Sequence, residues 1–407
     1  MVILEALNAL YGDCLLLRYP GPDGKERLWI VDGGPKSETV DGKPLAAWRD
    51  VLLPRLKQIS KTVPLPVALG MVSHIDDDHI NGILKLTNAL VASSPANPPA
   101  VKFSRFWFNS FDDLVGPKPA GLAGDAATAS LQSLVGEVLP TFASTDHDDD
   151  THTGELVMQS VGQGVSLAAD LGTLHLKDNK PVGGLVTAKK DQKPFDIDGA
   201  KVTVIGPLQK RVDKLRDEWE KALKKPTKSA RQAALQDLFL PTKSQDKAVP
   251  NLSSIVVLVD VGGQKLLLTG DAHGDDIVSA WQDELKLGAG PVKLNVLKMP
   301  HHGSIRNVTK KFIDFFEADH YVFSANGKFD NPDAPTLEAV VKAHGARKIV
   351  LHFTNSSVAW SEKYKLEKNG KTVDNLQDLL KELKAAYGGN WSANMRKPPD
   401  LSVVVSL

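Results

Sequence analysis

Apolar residues in this chain gather into short runs that end abruptly in polar clusters, and between the runs the spacing shifts from the two-residue period of strands to the helical one. Cys14-Leu15-Leu16-Leu17-Arg18-Tyr19 and Leu28-Trp29-Ile30-Val31-Asp32 flank the turn-forming Gly21-Pro22-Asp23-Gly24 and predict a hairpin. Gly33-Gly34-Pro35 stops the second strand, and Leu45, Trp48, Leu52 and Leu56 then recur at helical spacing. The run Val67 to Val72 predicts a buried strand that delivers His74-Ile75-Asp76-Asp77-Asp78-His79 at its tip, through a sharp turn, with a helix from Ile83 to Leu90 beyond.

From residue 91 to about 250 the pattern is less regular, with Pro and Gly clusters and an acidic patch from Asp146 to Asp150. Within it Val202 to Ile205 is strand-like, and Leu215, Trp219 and Leu223 mark an amphipathic helix in a Lys-rich stretch. That stretch fits a solvated helix face or a basic lid over a substrate. Regularity returns with Ile255–Val259 and Lys265–Leu268, a hairpin around Gly262-Gly263. Strands at Leu294–Met299, Lys348–Leu351 and Leu401–Val405 follow among helices. Strands interleaved with helices in both halves predict an α/β sandwich with helices packed outside two central sheets. The division expected is one domain over 1–407, made of a first half 1–104, an insertion or lid 105–250 and a second half 251–407.

Composition narrows the function classes. The 407 residues carry 49 basic and 49 acidic side chains, so no global field advertises a nucleic-acid or membrane partner, and local patches must carry any such role. Cys14 alone excludes an intrachain disulfide framework and Cys-rich zinc modules and fits a reducing, cytoplasmic setting. The N-terminus lacks the basic flank and apolar core of a secretory signal. No apolar segment approaches the roughly 20 residues that span a bilayer, so a membrane partner is not expected.

The chemistry sits at strand ends. His74 to His79 places two imidazoles among carboxylates, donors that suit Zn²⁺ or Mn²⁺, whereas an acidic surface turn is the plainer alternative. Thr269-Gly270-Asp271 and His301-His302-Gly303-Ser304 close two later strands in the same way, and rigid strand ends are where distant segments assemble a site.

Val31-Asp32-Gly33-Gly34, the His74–His79 cluster, the strand-final Gly270-Asp271 and His302-Gly303 occur in an order that resembles the metallo-β-lactamase superfamily. The chain is most similar to the lactamase-like domain of bacterial competence DNA-uptake channel proteins and their soluble relatives. Gly12-Asp13-Cys14, Ser73-His74 with Asp76, Asn251-x-Ser253-Ser254, Leu268 to Ala272 and Leu297 to Ser304 carry that likeness in both halves. It implies a four-layer αββα sandwich and two divalent metal ions, Zn or Mn. On that resemblance His74 and Asp76 would bind one ion, Asp78 and His79 the other, Asp271 would bridge, and His302 would complete the set. Asp32 would orient the ligands from behind. The chain departs from the pattern at Asp76, where most of the superfamily has His, and at Asn251, where a further His is expected; both changes favour a harder first ion such as Mn²⁺. Asn331-Pro332 stands where related proteins have His-Pro.

Two such ions clamp a phosphodiester, so the expected activity is that of a phosphodiesterase or nuclease, with nucleic acid or a small phosphodiester as partner. Asp78 and His301 are the catalytic candidates, and Ser304 and Asn326 the substrate-binding ones. If the backbone there is extended, His301 points away from His302 and is left for phosphate contact or leaving-group protonation. A lactone, thioester or amide substrate, or a metal-stabilised scaffold without activity, are the alternatives. His147 and His152 beside the acidic patch read as loop residues, and His273 as a helix start. His352 is weighed as site-facing or structural, and His175, His320 and His344 as structural.

Overall fold

The computed structural model describes residues 1–40, 42–116, 162–239 and 253–407. Asn251 and the acidic patch with His147 and His152 lie outside the described residues.

Two large sheets dominate a mixed α/β arrangement. The first has six strands, in spatial order Ser402–Ser406, Ile3–Leu7, Leu15–Pro20, Glu26–Val31, Leu69–Met71 and Phe106–Trp107. The second has eight, in order Phe195–Ile197, Ala200–Gly206, Val256–Val261, Gln264–Leu268, Val292–Lys298, Phe316–Phe323, Val350–Phe353 and Ser392–Met395. Strand faces alternate as the pleat requires. Leu28 and Ile30 join an apolar cluster with Ile80, Ile83 and Leu86 of the helix Asp77–Val91 and Leu215 and Trp219 of the helix Gln209–Leu223. Trp29 and Val31, at the alternating positions, belong to a second cluster shared with Val257, Val259, Leu266, Leu268 and Val296 of the other sheet. Leu267 and Phe323 face a third cluster with Phe312, Leu337 and Leu379 from three further helices. Burial on both faces explains why the strands read as near-continuous apolar runs.

The described residues of the segment 105–250 contribute one edge strand to the first sheet and two strands to the second. Expected elements recur with shifted bounds. The Val67–Val72 run is two strands, because Leu65–Val67 pairs with Val101–Phe103 while Leu69–Met71 pairs with Glu26–Val31. Leu45 ends a short strand, and the helical turns behind it run Ala47–Leu52 and Leu53–Ile59. No helix among the described residues is long and apolar enough to cross a membrane.

Parallel pairing positions the polar clusters. Glu26–Val31 runs parallel to Leu69–Met71, and Gln264–Leu268 runs parallel to Val292–Lys298. The four strands therefore present Asp32, His74, Asp271 and His301 beyond their C-terminal ends, the edge of an α/β sheet where ligand sites are built.

Within the second sheet, His352 and His320 pair through Nε2 and Nδ1 at 2.9 Å, and Asn394 Nδ2 donates to His352 Nδ1 at 3.2 Å. The pair sets a pH dependence. Burial, reinforced by His320, pushes His352 down to about 3, against about 6.5 for a free imidazole. As pH falls below about 6.5 the unfolded chain takes up a proton at this residue while the folded chain stays neutral until about 3. Stability is therefore present above the upper value and lost across the interval. The urea midpoint of His352→Gln should fall less steeply than that of the native chain between pH 6.5 and 4 on this linkage, a window set by roughly those two pKa values; parallel curves would refute it.

Candidate metal centre

The site grows from Asp32, whose carboxylate accepts from the Ser73 N–H at 2.7 Å, the Ser73 hydroxyl at 2.8 Å and His79 Nδ1 at 2.9 Å. The backbone of the His74 segment and the ring of His79 are thereby fixed together, leaving His79 Nε2 aimed inward. Ser73 Oγ lies 3.0 Å from His74 Nδ1 and holds the second ring similarly. The helix Asp77–Val91 begins inside the cluster, with Asp76 at its N-cap and Asp77 and Asp78 in its first turn, where the helix's positive end favours carboxylates. Asp78 and His79 thus stand on a helical turn instead of the sharp loop expected.

Beneath this segment runs Gly12-Asp13. A Cβ on Gly12 would lie 1.9 Å from the Asp78 carbonyl oxygen, so only glycine permits the approach. The Asp13 N–H donates to that same oxygen at 3.1 Å.

The other half is supplied by the second sheet. Gly270, at φ +50°, turns the chain after Leu268, and Ser254 Oγ and Asn307 Nδ2 grip the Asp271 backbone at 3.2 and 3.0 Å. His301 and His302 follow in left-handed conformations, φ 45° and 55°, which costs of order 1–3 kcal/mol each for residues other than glycine. The extended backbone considered from sequence is absent here. The curl brings both rings to the same carboxylate, Nε2 of each lying 3.6 Å from Asp271 Oδ2.

Asp271 is the hub. Its Oδ1 is 3.3 Å from His79 Nε2, and its Oδ2 is 3.9 Å from His74 Nε2. Asp76 Oδ2 lies 3.5 Å from His74 Nε2 on one side. On the other, Asp78 Oδ2 accepts from His302 Nε2 at 3.1 Å and sits 3.7 Å from His79 Nε2. Asp13, His79, Asp271 and His302 each offer a donor atom within 4.8 Å of the others, all of them buried, and such a group could hold a metal ion.

Burial should raise the pKa of Asp271 and Asp78, yet the imidazoles around them hold Asp271 well below the usual carboxylate range and Asp78 below it. Burial likewise opposes charge on His79 and His302, but Asp271 with Asp78 and Asp32 keeps His79 well above an ordinary imidazole, and Asp271 with Asp13 raises His302. Asp76, desolvated and only partly compensated by His74, is pushed up. Asp13 Oδ1, His74 Nε2, Asp76 Oδ1, His79 Nε2, Asp271 Oδ1 and His302 Nδ1 are buried without a hydrogen-bond partner. Buried polar atoms are normally paired. Mixed oxygen and nitrogen donors left open toward one another fit a divalent cation, whose arrival would displace the protons held on the imidazoles.

All six expected ligands, His74, Asp76, Asp78, His79, Asp271 and His302, are thus brought to one place, with Asp32 behind them. Ser304 is buried and accepts from the Arg306 N–H at 3.3 Å. Asn326 is engaged elsewhere, donating to Glu38 Oε2 at 2.9 Å. His273 Nδ1 caps a helix, accepting from Asp275 N–H at 3.3 Å. Two residues given no role from sequence are central. Asp13 is one of the tight group, and Lys298, fully buried, holds it through Nζ to Oδ2 at 2.6 Å. Both stand inside motifs that carried the resemblance, Gly12-Asp13-Cys14 and Leu297 to Ser304, so the signal was present.

Comparison with known proteins adds one likeness. No family model matches the chain. It is similar to ComE operon protein 3 of Bacillus subtilis (strain 168), at 29% identity over 115 residues. The match covers 28% of this chain and 14% of that protein.

Proposed function

We propose that the chain is a metal-dependent hydrolase of the metallo-β-lactamase kind, a phosphodiesterase or nuclease acting on nucleic acid or a small phosphodiester. In this reading the sheets and their flanking helices form the four-layer αββα sandwich of one domain over 1–407, part of 105–250 serving as a lid. The observation that carries it is Asp271, one buried carboxylate with His79 at Oδ1 and His74, His301 and His302 around Oδ2, next to the carboxylates of Asp76 and Asp78. Such sharing suits a bridge between two ions, Zn²⁺ or Mn²⁺, and the likeness to ComE operon protein 3 adds support.

Two divalent ions held there would supply hydroxide near neutral pH and offset charge on the phosphodiester. His74, Asp76, Asp78, His79, Asp271 and His302 would hold them, with Asp13 adjoining the second group. Asp32 fixes the His79 ring. His301 is partly open to solvent, and its Nδ1–H donates to Asn307 Oδ1 at 3.0 Å. That orients Nε2 toward the Asp271 side, where the doubly protonated ring can give its Nε2 proton to a leaving oxygen and become neutral while keeping the Nδ1–H.

Purified protein with Mn²⁺ or Zn²⁺ should cleave bis(p-nitrophenyl) phosphate or single-stranded DNA, and Asp78→Ala should not. Equal rates for the two proteins would overturn the assignment.

A further inference from the structure

We propose that Phe329 is a specificity-determining contact at the mouth of the candidate centre, a ring on which an unpaired nucleobase flanking the scissile phosphate stacks. The inference rests on the phosphodiesterase reading and names a residue that reading does not use.

Phe329 is 43% exposed and is the one aromatic ring among the exposed large apolar side chains of the described residues. Tyr11, itself buried, meets it edge to face with centroids 5.3 Å apart and an interplanar angle of 87°. Lys328 Nζ stands 4.2 Å from the Tyr11 centroid and 5.4 Å from that of Phe329, and lies 3.4 Å from Glu38 Oε1. The ring therefore touches Tyr11, has a cation beside it and keeps 43% of its surface exposed.

Its place relative to the centre follows from the chain. Tyr11 adjoins Gly12-Asp13, which lies against the Asp78 carbonyl, and Asp13 is in the tight donor group. Burial, and after it the charges of Asp78, Asp77 and Glu38, push the Tyr11 phenol well above its ordinary range, as expected beside those carboxylates. On the far side, the Phe329 loop is tied to the His301-His302 loop: the Ile305 N–H donates to Asp333 Oδ2 at 2.7 Å and the Asp333 N–H to the Gly303 carbonyl at 3.3 Å. Ile305, 50% exposed, and Arg306 extend the same rim.

An exposed aromatic ring beside a cation, next to the candidate metal centre, matches the way single strands are held: bases stack on aromatic faces and the backbone follows positive charge. Paired bases are already stacked within a duplex, so the preference is for unpaired ones.

The test measures binding by fluorescence anisotropy with the full chain in Mn²⁺. The probes are a labelled oligothymidylate with cleavage-resistant phosphorothioate linkages and an abasic oligomer of equal length. The native chain should prefer the oligothymidylate, Phe329→Ala should lose about tenfold or more for it and little for the abasic oligomer, and Phe329→Trp should retain the preference. Equal affinity of the native chain for both probes, or an unchanged preference in Phe329→Ala, would overturn the proposal while bis(p-nitrophenyl) phosphate cleavage leaves the hydrolase reading standing. A native chain that neither cleaves that diester nor binds either oligomer would overturn both.

Discussion

Lys298→Met is expected to destabilise the metal-free protein by about 3–5 kcal/mol, the cost of leaving a buried charge without its partner. Lys298 is fully buried at the end of a strand of the second sheet, and Asp13 follows the first strand of the other sheet. Their ion pair at 2.6 Å joins the two sheets directly beneath the donor cluster, with Lys298 Nζ also donating to the Met299 carbonyl at 3.0 Å. Burial alone would drive Asp13 toward its neutral form, and Lys298, aided by His302, holds it far below the usual carboxylate range. Removing only the lysine leaves that buried carboxylate with His302 and His79 alone to offset its charge. Removing both partners, as in Asp13→Leu with Lys298→Met, should restore most of the loss, because a hydrophobic pair of similar volume is often neutral or better than a buried ion pair. Urea unfolding of the two variants in chelator decides the matter. A single variant within about 1 kcal/mol of the native chain would show that the pair contributes little.

The second large effect concerns Asp271. Losing a residue that merely orients a ligand weakens metal binding by about 10–100-fold. Asp271 faces His74, His79, His301 and His302 at once, so Asp271→Ala should exceed that range, by more than about 100-fold. The check is competition between the protein and a chromophoric chelator for Mn²⁺ and for Zn²⁺. Thermal denaturation gives a parallel reading: a ligand present at 100 times its Kd stabilises the native chain by about 2.7 kcal/mol, and the variant should show none of this at the same concentration. Affinity within tenfold of the native value would remove Asp271 from the centre of the argument.

How far the sequence alone reached depends on what each residue's neighbours impose. His74, Asp78, His79, Asp271 and His302 were legible because each stands just past an apolar run, and such runs become strands with a common edge. Asp32 was legible through Val31-Asp32-Gly33-Gly34. The start of the helix at Asp77 was not anticipated, since consecutive aspartates read as a polar loop; yet aspartate is favoured at an N-cap and in a first turn, and the signal was there. Lys298 interrupts an apolar run and reads as an outward-facing residue until the partner that neutralises it is known. The left-handed turn at His301-His302 has no local signature at all. It is held by contacts remote in sequence, among them the His301 N–H donating to the Gly270 carbonyl at 3.1 Å and the close approach of Gly303 to Phe323 and Pro332. The break at Ala68 likewise depends on which strands Leu65–Val67 and Leu69–Met71 find as neighbours.

The donors come from both sheets, and the apolar layer between those sheets is what sets their spacing. Cation affinity would therefore gauge sheet alignment: Val257→Ala or Val296→Ala, at positions that supply no donor, would loosen the layer between the sheets and open the distances around Asp271. Any demand for cation binding would then extend to interior positions that carry no polar atom.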